Sequence, residues 1–374
     1  MNQDDIDHFT ITSNPIIKDV RPLYVGQFLF VRITTDNDII GYGEGGVWGH
    51  IEAAVTTHHW NTMHRFSYFQ GTAINAAISA IDIAFWDIKG KALGVPIYEL
   101  LGGACGQKAR VYGHIYEKII EGVLAECRRK MDLGYTAFGH INPFLDVGHD
   151  RVYFKTHVKK MQDAAENVHR MRAVVGDKVD LLIELHRRLT PAEAITFGNM
   201  IKEDHPKFIE DPIRPENIDA MARVAEKMEV PVATGERYCT IYEFQAVLSR
   251  RAVEYVRIDV ALSAMAEAHN VQVVPHNPLS PVGLAACLQL DACIPNFAIQ
   301  EYSTGFESGV FSSTAQHLGT DVVDYVPEVK DGFVEIPSGP GLGINLLPNA
   351  SDIRPPLVQP LTMRKHEDGF VVDQ

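Results

Sequence analysis

The chain has 374 residues, 46% hydrophobic and 22% charged, with a formal net charge of -14 at pH 7. That length allows more than one domain and a large core. The negative balance argues against a nucleic-acid partner, which needs a basic footprint; an anionic small ligand would need a local positive charge such as a metal ion.

In chain order, the opening MNQDDIDHF is acidic and lacks the apolar run of a secretory signal. No stretch of about 18 apolar residues occurs, so a cytoplasmic protein is expected. Residues 16 to 45 alternate in the β manner, and QFLFVRITTDNDIIGYGEGG predicts two strands with a turn at Asp36-Asn37-Asp38. GYGEGG matches G-x-G-x-x-G at Gly41, Gly43 and Gly46. A dinucleotide site needs a parallel βαβ unit with an acid about 20 residues on; the preceding turn predicts an antiparallel hairpin, and Met63 to Phe69 offers no acid. A dinucleotide oxidoreductase is therefore the weaker rival. Residues 73 to 93 carry apolar side chains at Ile74, Ile78, Ile81, Phe85 and Ile88, a helical stripe with Thr72 as N-cap and Gly94 as stop.

From about residue 109 short apolar runs alternate with amphipathic helices. ARVYGHI, YTAFGHI, VDLLIELH, PKFIED, VPVATGE, VEYVRID, VQVVPH and NFAIQE make eight runs, with helices expected at 154–175, 191–203, 217–229 and 240–250. In RRLTP, Thr190-Pro191 reads as the N-cap and first turn of the 191–203 helix. Eight strand-plus-helix units predict an α/β protein with a (β/α)8 TIM-type barrel; a doubly wound open sheet is the alternative, and the unit count favours the barrel. The tail from 302 is rich in Gly and Pro, and its SGPGLG reads as turn chemistry because no Lys-Ser/Thr follows. The expected divisions are an α+β capping domain (1–108), the barrel (109–301) and a C-terminal segment returning to the cap (302–374). Cys105, Cys127, Cys239, Cys287 and Cys293 are odd in number and lack C-x-x-C spacing, which argues against a disulfide framework and against zinc.

In a parallel barrel, chemistry gathers where strands end. The third run ends at Glu184 and His186, the fourth at Glu210, the fifth at Glu236. The steps from 184 to 210 and from 210 to 236 are equal, which predicts three carboxylates at matching heights, with Leu182, Phe208 and Thr234 filling the layer below. Three converging carboxylates raise one another's pKa, and an oxygen donor set of this kind suits Mg²⁺. Three unrelated solvated acids is the reading that spacing alone leaves open. The sixth and seventh runs end at Asp259 and His276, an expected dyad in which the carboxylate orients the imidazole. The eighth ends at Glu301. A metal-held carboxylate, a His base and a second His would suit abstraction of a proton beside that carboxylate. Loss of a neighbouring hydroxyl would make the reaction dehydration; reprotonation from the other face would make it racemisation.

These residues resemble the enolase superfamily, in its mandelate racemase-like branch. SAIDIAFWDIKGKALGVPIYELLGG is similar to the family's capping-domain helix, and FIEDP, PVATGERYCT and PHNPLSPVGLAACLQLDACIPNFAIQE to barrel strands four, five, seven and eight. ELHRRLTP and the His276–Asp259 pairing resemble sugar-acid dehydratases of the galactonate and mannonate kind. The resemblance implies Mg²⁺ held by Glu184, Glu210 and Glu236, His276 oriented by Asp259 as base at C2, and His186 as the acid that expels the C3 hydroxyl. It implies a sugar-acid substrate met by Glu301, His140, Asn142, Arg237 and Trp48, a Gly41–Gly46 loop near the site, and a homo-oligomer.

Several positions depart from that pattern. Glu184 stands where Asp is usual. His140 and Asn142 stand where racemases and epimerases carry a Lys pair, and Arg257 where lactonising relatives carry Lys; Arg is no base near neutral pH. The sixth unit, Val253 to Val271, is short, as is the stretch after Thr57. The alternatives are an idle member that binds metal or sugar acid without turnover, and a racemase or epimerase of a 2-hydroxy acid.

Overall fold

The computed structural model describes residues 15–46, 71–145, 156–258, 263–302, 319–356, 364–365 and 371–372. Three antiparallel strands come first: β1 (Ile17–Val25), β2 (Phe28–Thr35) and β3 (Ile40–Gly45), in the order β1-β2-β3. Residues 41 to 45 are thus strand rather than the loop that the resemblance implied. The predicted turn forms where expected, with the Thr35 hydroxyl accepting from the Ile39 amide. Helix α1 (Thr72–Leu93) lies on this sheet and packs Ile78, Ile81, Ala84 and Ile88 against Val31 and Ile33. Its N-cap is Gly71, one residue before the expected Thr72, with no side-chain cap; it stops at Gly94, which is left-handed with φ 71°. The close crossing explains the glycines of GYGEGG. A Cβ on Gly43 would lie 1.8 Å from the Ala80 carbonyl oxygen, so these glycines bring strand and helix together rather than cradle a phosphate.

After α2 (Ile97–Leu100) come eight strands with seven α-helices between them among the described residues. The strands are β4 (Lys108–His114), β5 (Ala137–Ile141), β6 (Asp180–Glu184), β7 (Phe208–Glu210), β8 (Val232–Thr234), β9 (Tyr255–Val256), β10 (Gln272–Val273) and β11 (Gln300–Tyr302). Each pairs in parallel with the next from β4 to β10, and β11 pairs in parallel with β4. A parallel bridge from Val273 to Phe297 closes the ring between β10 and β11. Tyr112, Ala137, Leu182, Phe208, Ala233, Val274 and Ile299 fill the interior as one buried cluster, so the barrel is packed rather than hollow.

The outer helices are α3 (Ile120–Asp132), α4 (His157–Val175), α5 (Pro191–Met200), α6 (Ile218–Lys227), α7 (Ile241–Ser249), α8 (Ser263–Ala268) and α9 (Pro281–Cys293). Helix α5 starts as the sequence predicts, with a Thr190/Glu193 capping box and Pro191 in its first turn. In the short sixth unit, β9 has two residues and α8 six.

Helix α9 is apolar but for Gln289 and Asp291, and all but two of its residues are buried. It is sandwiched: Leu284 and Leu288 join the barrel core, while Val282, Ala285 and Ala286 join Val25, Phe28 and Phe30 of the first sheet. Leu342, Ile344 and Leu346 complete that second cluster. A hairpin of β12 (Val329–Lys330) and β13 (Phe333–Glu335) adds antiparallel to the start of β4. The short helix α10 (Ala350–Ile353) follows. Among the described residues no helix is long and apolar enough to cross a membrane.

Candidate active site

The carboxylates meet at the C-terminal ends of the barrel strands. Glu184 and Glu210 are direct register partners and both are buried, so the equal spacing places these two at one height. The third does not follow the rule. Glu210 pairs with Ala233, three residues short of Glu236. Ala233, not Thr234, fills the interior layer; Thr234 donates its hydroxyl to Asp211 Oδ1 at 2.5 Å. The chain then turns at Gly235, with φ 144°, where a Cβ would come within 2.6 Å of the Arg257 carbonyl oxygen. A glycine at that position lets the backbone double back and bring Glu236 beside the others.

Two guanidinium groups thread through these acids. Arg257, fully buried, pairs through Nε with Glu210 and through Nη2 with Glu301 at 2.5 Å. Arg187 pairs with Glu236 and, at 2.8 Å, with Asp211 Oδ2. Glu301 is further held by His114 Nε2 at 2.8 Å and accepts from the Asn277 amide. His114 Nδ1 meets the Tyr116 hydroxyl at 2.8 Å. Neither Asp211, His114, Tyr116 nor Arg187 was singled out in the sequence. His114 ends the first strand, so the strand-end rule applied to the later strands would have found it.

The electrostatics follow the pairing. Burial raises Glu184 well above the ordinary carboxylate range, and Glu210, Asp211 and Glu236 push it further. Burial also raises Glu210, with Arg257 opposing, and lifts Asp211 to about 7. Burial works against Glu301 and Glu236 too, but their cations win: Arg257 with His276 and His114 hold Glu301 well below the usual range, and His276 with Arg187 do so for Glu236.

Three imidazoles rim the cluster. His276 Nε2 lies 3.3 Å from Glu236 Oε2, and His186 Nε2 lies 4.0 Å from Glu184 Oε1. His140, left-handed with φ 53°, has its ring 4.6 Å from those of both His186 and Tyr116. Burial keeps His140 neutral well below its ordinary pKa and pulls His186 down to about 4. Asn142 spends its side-chain oxygen on the Phe144 amide, 2.9 Å away, and Arg237 is exposed. Asp259 and Trp48 lie outside the described residues, and with Asp259 the expected Asp259–His276 dyad.

Among the described residues, His140, Glu184 and His186 each bring one donor atom within 4.8 Å of the others. Glu210 and Glu236 are not in that group and pair instead with Arg257 and Arg187. The donor chemistry nevertheless fits a divalent cation. Glu184, Glu210, Asp211, Glu236 and Glu301 face two arginines, which leaves three negative charges if all ionise. Glu184, hydrogen-bonded to Glu210 and to the His186 amide, has neither arginine as an ion-pair partner. A hard cation on carboxylate oxygens would relieve that excess.

Comparison with known proteins places this arrangement. Residues 9–102 match the N-terminal domain model of the mandelate racemase / muconate lactonizing enzyme family, and residues 140–350 match the enolase C-terminal domain-like model. The chain belongs to this family of the enolase superfamily. A curated relative named D-galactonate dehydratase, from Verminephrobacter eiseniae, is 31% identical over 86% of this chain and 89% of its own. Among solved structures, a putative dehydratase from Mesorhizobium loti superposes with a TM-score of 0.79 at 28% identity, over 91% of this chain and 98% of that one. An enolase from Pantoea ananatis, solved with bound D-gluconate and Mg, gives 0.84 at 24% identity over 96% and 100%; at that identity it speaks to the fold.

Proposed function

We propose that the protein is a Mg²⁺-dependent dehydratase that converts a sugar acid, an aldonate such as galactonate, mannonate or gluconate, into a 2-keto-3-deoxy acid. The observation that carries the reading is the carboxylate cluster at the barrel mouth with His186 and His276 beside it. The dehydratase name of the 31% identical relative supports the substrate class.

Glu184, Glu210 and Glu236 would hold the ion, which when bound supplies positive charge for a substrate carboxylate and for the negative charge that grows on it. His276 takes the C2 proton; its contact with Glu236 at 3.3 Å orients the ring, and Asp259 is assigned to the same task from the sequence. His186 gives a proton to the C3 hydroxyl, which leaves as water, and the enol product then ketonises. Burial disfavours the charged form of His186, so the group works as an acid only once a substrate carboxylate beside it favours the imidazolium. Glu301, fixed by Arg257 and His114, would meet the substrate near the developing negative charge.

The test is turnover of a sugar-acid library with Mg²⁺, read as keto product. His276→Asn is expected to abolish product while metal binding persists. Glu236→Gln is expected to weaken Mg²⁺ binding by about 10- to 100-fold; unchanged affinity would reject the ligand role. One observation favours a second reading: two proposed ligands already carry arginines, and the sixth unit is short, as in an idle member that binds without turnover. Exchange of the C2 proton with deuterated solvent separates the two, since an idle barrel shows none.

A further inference from the structure

Arg187 is placed unusually. His186 and Arg187 are both left-handed, with φ 46° and 65°, and this double turn follows the end of β6. It sends the Arg187 amide to the Asp211 carbonyl at 2.7 Å and the guanidinium across to Asp211 and Glu236. The guanidinium is charged at every working pH. One of its two partners, Glu236, is a proposed ligand; the other, Asp211, is buried, locked by Thr234, and assigned to nothing. The same nitrogen, Nη1, serves both acids.

We infer that Arg187 is an internal counter-cation of the candidate metal site: the divalent ion must win Glu236 from it, while Asp211 keeps the displaced guanidinium. This rests on the metal reading proposed above. Asp211 makes the exchange inexpensive. When Glu236 turns to the ion, Arg187 keeps one ion pair and its backbone anchor and is not left buried and unpaired. In the ion's absence the same contact holds Glu236 near the other acids and offsets part of their repulsion. Arg187 is thus a positioning residue that sets how tightly, and so at what ion concentration, the site loads.

The experiment is Mn²⁺ binding to the full-length protein, measured by calorimetry and by the loss of free-ion electron paramagnetic resonance signal. Arg187→Met is expected to bind Mn²⁺ at least about tenfold more tightly than the native chain. Misfolding does not raise affinity, so a gain isolates the competition from a structural role. Arg188→Met is the charge control, because that guanidinium instead lies 5.8 Å from the Phe144 ring; it is expected to shift affinity by less than about twofold. Equal gains in both variants, or no gain in Arg187→Met, would overturn the inference. If Arg187→Met binds and the native chain does not, the competition is supported in its strongest form; if neither binds, both the inference and the metal reading fall. If Glu236→Gln binds Mn²⁺ as the native chain does, Glu236 is no ligand and the inference falls with that part of the metal reading; a weakened Glu236→Gln with no gain in Arg187→Met overturns the inference alone.

Discussion

At the scale of single residues, Arg257 shows what the barrel mouth costs to build. Its guanidinium is buried between Glu210 and Glu301. Replacing it by Met would leave two desolvated carboxylates without their cation, and removal of one partner from a buried pair costs about 3–5 kcal/mol. Arg257→Met should lower urea stability by that order; a change under about 1 kcal/mol would mean the acids find other partners. Its neighbours in the cluster mark the limit of sequence reading. Glu184 and Glu210 were legible because strand ends in a parallel barrel are predictable from apolar runs. Glu236 lies beside them, but not in the register that the spacing predicts, since the turn at Gly235 breaks the two-residue alternation on which that prediction relies. Arg187 and Asp211 were not legible at all. Their roles depend on backbone angles in the left-handed region, which no side-chain pattern announces for Arg.

At the scale of elements, all eight runs became strands and the helices fell within a few residues of their expected bounds, because each alternation of apolar runs is local information. The nucleotide-like glycines were settled by packing. Gly43 sits where a Cβ would meet the Ala80 carbonyl oxygen, so Gly43→Ala must push β3 off α1. Overpacking of this kind costs about 1–3 kcal/mol or more, and a clear drop in calorimetric melting temperature is expected; an unchanged melting temperature would show that strand and helix can slide apart freely. The sixth unit has the shortest helix described in the barrel. A six-residue α8 spans about 9 Å, against about 28 Å for the 19-residue α4. Hydrogen exchange is expected to be fastest there among the barrel helices.

At the scale of the whole molecule, Glu44 pins the first sheet to the barrel. It reaches the N-terminus of α9, where it accepts from the Gly283 amide at 2.8 Å and from the Ser280 amide and hydroxyl. Burial lifts its pKa to about 7 from 4.5. The folded state therefore binds the proton more strongly than the unfolded state. This contribution is fully present below about pH 4.5 and is lost as the pH rises towards 7, roughly 3 kcal/mol over that window. Glu44→Gln should flatten the corresponding part of a stability-against-pH curve between pH 5 and 7.5. If native and variant curves stay parallel, Glu44 does not titrate there.

The seam between residues 342–346 and the first sheet has a consequence for how the protein is made. The Leu342 amide donates to Asp87, 255 residues earlier, and Leu342, Ile344 and Leu346 sit in the same cluster as Val25, Phe28 and Phe30. A nascent chain therefore emerges from the ribosome with its first module unroofed and stays so until residues 342–346 have been made. Its greasy underside is then a natural handhold for chaperones, and a stop codon ahead of residue 342 harms the first sheet.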